Sequence, residues 1–130
     1  MRIYLTYCSA NKRSDSQMLP ARERYISQRI LHVEKSAQHE GFPLYIFSGE
    51  FGMIAASDNV PWYDHLLQEN EVEHMVEKME KQIPKETTSI VFFSSSPEID
   101  TQLLPYHRVI EKVCMKRSIS LEIRIMDFPD

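Results

Sequence analysis

Small polar residues follow three apolar runs of this sequence, and their side chains can hydrogen-bond a ligand or act as nucleophiles. The three polar ends are Cys8-Ser9 after residues 3–7, Ser48-Gly49 after residues 45–47, and Ser94-Ser95-Ser96 after residues 90–93. If the runs are neighbouring parallel strands, these ends meet at the carboxyl edge of one sheet, where open α/β sheets bind their ligands. The sequence therefore predicts a binding site at this edge.

Basic residues near the same strand ends indicate an anionic ligand. Lys12 and Arg22 can pair with phosphate or carboxylate, and Ser9 and Ser48 can donate hydrogen bonds beside the first N–H groups of a helix. In the alternative interpretation, Arg22 pairs with a neighbouring carboxylate and only fixes the loop. We expect an anion site, because these residues cluster at one predicted edge.

Aromatic residues of the same region indicate that the ligand contains a nucleobase. Tyr25, Tyr63 and Trp62 could stack on a base, a contact of about 1–3 kcal/mol. The carboxylate of Asp64 could accept a hydrogen bond from a ribose hydroxyl or a base N–H. Core packing of the aromatic residues, and helix capping by Asp64, are the structural alternatives. We predict a nucleotide, nucleoside or nucleobase as the ligand, as a hypothesis.

An enzyme acting on an N-glycosidic bond of a nucleoside or nucleotide is the main alternative. Cys8 or Ser48 could serve as a nucleophile with His65 as its base, and Glu50 could attack an anomeric carbon. The elbow Gly-x-Ser-x-Gly of many hydrolases is absent, because Phe47 precedes Ser48. Whether a reaction is catalysed stays open, and no catalytic residue is assigned.

Histidine and acidic residues do not occur at the spacing of a known metal site. Glu71-x-x-His74 has the di-iron spacing, but that site needs two such helices and two further carboxylates. His32 and His39 share one helix without a third ligand, and His107 is expected at the surface. The two cysteines form neither a disulfide framework nor a zinc site. We predict no metal and no cofactor.

The charge distribution favours a small anion over a long one. The 130 residues carry a net charge of −4, with seven Lys/Arg and four Asp/Glu in residues 1–40. Duplex binding normally needs a basic stripe that neutralises several phosphates, so nucleic-acid binding is possible but not favoured. We find no apolar stretch of about 20 residues and no signal-peptide core. We therefore expect no membrane association and a cytoplasmic location.

The order of apolar patterns predicts a single α/β domain over residues 1–130, with three layers, a Rossmann-like or flavodoxin-like arrangement and about three helices. The alternation of helices with strands predicts a mainly parallel four-stranded sheet of order 2-1-3-4. The predicted strands are Arg2–Tyr7, Leu44–Phe47, Ser89–Phe93 and one around 121–125, and the helices are 20–41, Gln68–Ile83 and one from Pro105. Residues Ile125–Phe128, on an edge strand, offer a possible homodimer surface.

Four motifs in residues 3–67 resemble one family. They are Cys8-Ser9-Ala10-Asn11-Lys12, Pro20-Ala21-Arg22-Glu23-Arg24-Tyr25, Ser48-Gly49-Glu50-Phe51-Gly52-Met53 and Pro61-Trp62-Tyr63-Asp64. Their order and spacing resemble the small bacterial and phage domains of unknown function related to the peroxide-stress protein YaaA. The resemblance implies a shared site. YaaA proper is longer, is linked to oxidative stress and is proposed to bind DNA, so a DNA-binding stress-response protein is a further alternative.

The predicted site combines the strand ends, the basic residues and the turn after the second strand. Its residues are Cys8, Ser9, Lys12, Arg22, Tyr25, Ser48, Gly49, Gly52, Tyr63 and Asp64.

Overall fold

The apolar runs form the centre of a mixed, mostly parallel sheet in the computed structural model, which describes residues 1–15 and 17–126. The strands are β1 (Arg2–Tyr7), β2 (Leu19–Pro20), β3 (Leu44–Ser48), β4 (Gly52–Ala55), β5 (Asn59–Val60), β6 (Ser89–Ser94) and β7 (Ser120–Ile125). The helices are α1 (Ala21–Arg24), α2 (Gln28–Glu40), α3 (Val72–Gln82) and α4 (Leu104–Lys116). Short 3₁₀ turns at Glu69–Glu71 and Thr101–Leu103 precede α3 and α4.

The main sheet has five strands in the order β4-β3-β1-β6-β7, and β4 is antiparallel to β3. The prediction of four strands is therefore wrong, although the four predicted strands keep their predicted neighbours. The extra strand arises because the chain turns back after Ser48 and pairs Gly52 with it. A separate two-stranded ribbon joins β2 to β5.

Helices cover both faces of the sheet, because side chains of β1 alternate between two apolar clusters. Ile3 and Leu5 face α3 and α4 in one cluster, whereas Tyr4 lies with Val33 and Ala37 of α2 in the other. The central strands β1 and β6 are therefore buried on both sides. These two strands therefore fix the positions of the residues that follow their carboxyl ends.

The predicted helix over residues 20–41 is two helices, and the described residues contain four helices rather than about three. The chain is extended at Tyr25, which forms a β-bridge with Lys12. Ser27 then caps α2 by accepting a hydrogen bond from the Ile30 N–H, so that α2 begins at Gln28. This break moves the start of the crossover helix by two turns.

None of the helices within 1–15 and 17–126 combines the length and apolar character needed to cross a bilayer. Strand β7 lies at one edge of the sheet, as predicted. Asp127 and Phe128 of the predicted dimer surface lie outside the described residues, and the homodimer stays a prediction.

Candidate functional site

A cavity of about 310 Å³ lies at the carboxyl ends of β1 and β6. Three segments form its walls. The first wall consists of residues 7–12 together with Arg29 of α2, the second of residues 64–66, and the third of residues 95–106 before and within α4. Its volume is at the lower end of the range for small-molecule sites.

The position of this cavity follows from the order of the strands. The chain leaves β1 through α2 toward β3 on one side, whereas β6 lies on the other side of β1 and follows α3. The two connections cover opposite faces of the sheet. The loops after β1 and β6 therefore diverge and leave a crevice, which is the place where open α/β sheets bind ligands.

Arg29 supplies a buried positive charge to the first wall. Its side chain has 0 % exposure, and its guanidinium donates to the Thr6 hydroxyl and, at 2.7 Å, to the Tyr7 carbonyl oxygen. The guanidinium carbon also lies 3.5 Å from the centre of the Tyr7 ring. These contacts fix the cation beside the ends of β1, where the cavity begins.

Lys12 adds a second cation to the same wall. Its Nζ lies 4.8 Å from the centre of the Tyr63 ring and 5.9 Å from that of Tyr25, both within the range of a cation–π contact. The bridge between Lys12 and Tyr25 fixes the backbone under this side chain. The lysine is therefore held at the cavity rather than extended into solvent.

Tyr25 and Tyr63 lie under Lys12 and outside the cavity wall. Both are buried, their hydroxyl groups bond each other, and burial raises the pKa of each phenol above its ordinary value. The structure thus places these rings in the core beneath the lysine, which is the structural alternative to base stacking. Trp62 is 53 % exposed and does not line the cavity.

Ser48 and Gly52 form the turn between β3 and β4. The Ser48 hydroxyl accepts hydrogen bonds from the Glu50 and Phe51 N–H groups at 3.1 and 3.0 Å. Gly52 has a φ of +76°, and a Cβ there would lie 2.4 Å from Gln82 Oε1. Their contacts give both residues a role in the turn, and neither lines the cavity.

Gly49 permits a close approach between this turn and the second wall. A Cβ at Gly49 would lie 2.4 Å from the His65 carbonyl oxygen and 2.8 Å from Tyr106 Oη. Tyr106 in turn accepts a hydrogen bond from the Leu67 N–H at 3.2 Å. The glycine thus lets residues 65–67 pack against the turn and close the cavity on that side.

His65 fastens the second wall with both of its ring nitrogens. Nδ1 lies 2.5 Å from Glu50 Oε2, and Nε2 lies 2.8 Å from Glu71 Oε2. Hydrogen bonds to Glu71 and Glu50 raise the pKa of His65 above its ordinary value, and His65 lowers that of Glu71. Because both nitrogens are bonded to carboxylates, His65 does not have the geometry of a general base for Cys8 or Ser48.

Cys8 and Ser9 line the cavity directly after β1, and Asp64 lies in the second wall. The thiol of Cys8 is 3.9 Å from Tyr106 Oη, and the Ser9 hydroxyl donates to the Asn11 carbonyl oxygen at 2.6 Å. The 3₁₀ turn that follows Asp64 is capped by Gln68, so that Asp64 has no capping role there. Its exposed carboxylate is available to a ligand.

Arg22 lies at the opposite end of β3 from this edge. It borders a second, more open concavity with Leu44 and Ala56, and its N–H donates to the Ala56 carbonyl oxygen. The prediction that Arg22 lies with the serines is therefore wrong. The reason is the break at Tyr25: the helix that points at the cavity begins at Gln28, and Arg29 occupies its first turn.

His107 is buried, contrary to the expectation that it lies at the surface. Its Nε2 lies 2.8 Å from the Ser94 hydroxyl, which donates to the Ser95 carbonyl oxygen. The imidazole is therefore the donor to the hydroxyl, the reverse of what a nucleophilic serine requires. Burial lowers the pKa of His107, which favours its neutral form.

Sequence reasoning thus missed Arg29, Tyr106 and the residues of the third wall other than Ser95, which was expected at this edge because it directly follows β6. Arg29 is one of several basic residues near the N-terminus, and an N-cap serine two residues before it is the signal that a helix begins there. Tyr106 carries no local signal, because its role depends on contacts with residues 8 and 67.

Within the described part of the chain, no group of three or more His, Cys, Asp or Glu is arranged to hold a metal ion. Comparisons with models of known protein families, with curated proteins and with solved structures gave no match to this chain.

Proposed function

We propose that this protein binds a nucleotide, nucleoside or nucleobase in the cavity between the ends of β1 and β6. The observation that supports this proposal is Lys12, which lines a crevice where the connections from the ends of β1 and β6 diverge, with the buried guanidinium of Arg29 behind the same wall. Cations and hydroxyl groups at such a position suit a phosphate or another small anion.

The other two walls complement the rest of such a ligand. They carry the carboxylates of Asp64 and Asp100 and the apolar side chains of Leu66, Ile99 and Leu103. Carboxylates accept hydrogen bonds from sugar hydroxyls or base N–H groups, and apolar side chains pack against a base. A mononucleotide oriented with its phosphate toward Lys12 would find complementary groups on all three walls. A cavity of about 310 Å³ favours one phosphate over three.

We also propose the relationship to the YaaA-related domains, on the four motifs named above. The turn at Ser48–Met53, the Lys12–Tyr63 contact and the close approach at Gly49 use residues of these motifs. A solved relative would support the relationship if it showed the same contacts.

The proposal is tested by thermal unfolding in the presence of AMP, adenosine, adenine, ATP and a 20-nucleotide single-stranded DNA. A ligand that binds the native chain stabilises it by about 2.7 kcal/mol at a hundredfold excess over its dissociation constant. We expect AMP to raise the melting temperature more than adenine or the DNA. No shift with any base-containing compound would contradict the proposal.

Two variants test whether AMP binds at this cavity. Lys12→Gln removes a cation from the wall and should weaken AMP binding about tenfold, because a charge-assisted contact is lost. Arg22→Gln removes the same charge at the far end of β3 and should leave the affinity unchanged. Equal effects of the two substitutions would indicate general electrostatic attraction rather than a site.

The thiol of Cys8 gives a second, independent measure of occupancy. It is half-buried in the cavity wall, whereas Cys114 is buried in the core, where burial raises the pKa of its thiol to about 11. Iodoacetamide at pH 8 should therefore modify Cys8 first. Bound AMP should slow this modification, as followed by mass spectrometry.

A further inference from the structure

We propose that His65, with both ring nitrogens protonated, holds the loop of residues 61–68 in place beside the cavity, an arrangement called the lock below. Loss of one proton then loosens this loop, which carries the second wall, and weakens ligand binding. The second half of this inference rests on the proposed function. The first half concerns the protein alone and can be measured without a ligand.

The lock follows from the hydrogen-bonding capacity of imidazole. Glu50 lies 2.5 Å from Nδ1, and both oxygens of Glu71 lie within 3.0 Å of Nε2. A neutral imidazole has one N–H group and can donate to only one of these carboxylates, whereas an imidazolium donates to both. The observed arrangement therefore fits the protonated ring. Deprotonation leaves one carboxylate facing a nitrogen lone pair.

This histidine connects two elements of the chain through its side chain. Glu50 belongs to the turn between β3 and β4, and Glu71 ends the 3₁₀ turn before α3. Glu71 also accepts a hydrogen bond from the Gln68 N–H at 2.9 Å. The loop that supplies Asp64, His65 and Leu66 to the cavity is thus bonded to the β3–β4 turn through Glu50 and to the 3₁₀ turn through Glu71.

Other charged and titratable groups face His65 and its partners from the elements packed around them. Lys78 of α3 donates to the Glu50 carbonyl oxygen, and His74, on the exposed face of α3, interacts electrostatically with Glu71. Tyr106 of α4 accepts a hydrogen bond from the Leu67 N–H of the loop. Cys8 and Lys12 line the same cavity from the β1 side. Glu50 and Glu71 remain the bonded partners of the ring.

The direction of the pH effect follows from these partners. The two carboxylates raise the pKa of His65 in the folded protein above its ordinary value near 6.5. The lock is therefore complete below pH 6.5 and is lost as the pH rises through the raised value. Ligand binding should weaken over the same interval.

The lock is tested by amide hydrogen exchange, read by NMR, at Leu67 and Gln68 between pH 6 and 9. After correction for the intrinsic rate, protection of both amides in the wild type should fall about threefold to tenfold as His65 deprotonates. In His65→Gln, which does not titrate, protection should be low and independent of pH. His39→Gln replaces an exposed histidine near the end of α2 and should behave like the wild type.

Binding is tested with AMP by calorimetry at pH 6 and pH 8. Because the phosphate of AMP itself titrates near pH 6, the informative quantity is the ratio of the wild-type affinity to that of His65→Gln. This ratio should fall about threefold to tenfold from pH 6 to pH 8. A constant ratio, with the exchange result as expected, would overturn the regulation of binding.

The outcomes separate the two proposals. Identical exchange profiles of the wild type and His65→Gln would overturn the lock, whatever AMP does. The expected exchange profile without AMP binding at either pH would support the lock and contradict AMP as a ligand. If His65→Gln does not fold, Glu50→Gln removes one carboxylate and should lower the NMR-measured titration midpoint of His65. An unchanged midpoint would overturn the proposal.

Discussion

Gly49 and Gly41 are both glycines that a side chain would disturb, but for different physical reasons. Gly41 ends α2 with a φ of +78°, and a Cβ at this position would have no neighbour within 4 Å, so only the backbone conformation favours glycine. At Gly49 the carbonyl oxygen of His65 occupies the space that a Cβ would need. A side chain at Gly41 would therefore strain only the local backbone, whereas one at Gly49 would displace the second wall of the cavity.

Gly49→Ala should therefore lower the free energy of unfolding by about 3 kcal/mol, because the backbone of residues 65–67 must move away. Gly41→Ala should cost about 1 kcal/mol, the strain of a left-handed alanine. Urea unfolding of both variants measures the difference. Only Gly49→Ala should also speed the modification of Cys8 by iodoacetamide. A smaller cost at Gly49 than at Gly41 would contradict the close approach.

At the scale of elements, Arg24 holds together the loop before α1. Its buried guanidinium donates to the carbonyl oxygens of Arg13, Asp15, Gln17 and Val60, at distances of 2.5 to 3.3 Å. A helix of four residues has almost no stability of its own. The arginine therefore replaces, by hydrogen bonds to the backbone, the order that regular structure gives elsewhere.

Arg24→Leu should lower the free energy of unfolding by about 3 kcal/mol, because several buried carbonyl groups lose their donors. Arg22→Leu, two residues earlier on the same helix, changes an exposed side chain and should stay within about 0.5 kcal/mol of the wild type. Urea unfolding at pH 7 compares the two. Equal small effects would show that water replaces Arg24 without cost.

Elements with a long apolar pattern could be predicted from the sequence, and those defined by tertiary contacts could not. Three of the four longer strands follow from continuous apolar runs, and β7 follows from the alternation of Leu121, Ile123 and Ile125 with polar residues. Strand β4 has four residues and forms because a turn brings it back to β3. Ile26 fits the helical spacing of Ile30 and Val33, yet it is 56 % exposed and lies between two helices.

In the candidate site, too, the residues placed by local pattern could be predicted and those placed by tertiary contacts could not. Cys8, Ser9 and Lys12 directly follow β1, so that finding the strand was enough to place them at the cavity. Arg22 was misplaced because the position of a helical side chain depends on where the helix begins. The contacts of Tyr106 join residues far apart in the sequence, which no local pattern can indicate.

For the whole molecule, two histidines give the free energy of unfolding opposite responses to pH. The pKa of buried His107 is lowered, so the unfolded chain takes up its proton first and stability falls as the pH drops below 6.5. His65 has a raised pKa, so its contribution is present below pH 6.5 and is lost as the pH rises through the raised value.

Replacing Ser94 by Ala and His107 by Phe together should flatten the loss of stability between pH 7 and pH 5. The double substitution removes the titrating group together with the hydroxyl that it contacts. His65→Gln should make the same loss steeper. Urea unfolding at pH 7, 6 and 5 measures these slopes. Identical slopes for all three proteins would contradict the assignment of the two histidines.

The cavity walls come from segments around residues 8, 65 and 100, so the cavity exists only when the whole chain is folded. A molecule that occupies it stabilises the complete fold and no fragment of it. Proteases attack the transiently unfolded chain, whose population falls as the ligand concentration rises. The abundance of this protein would then follow the supply of its ligand, with no change in its synthesis.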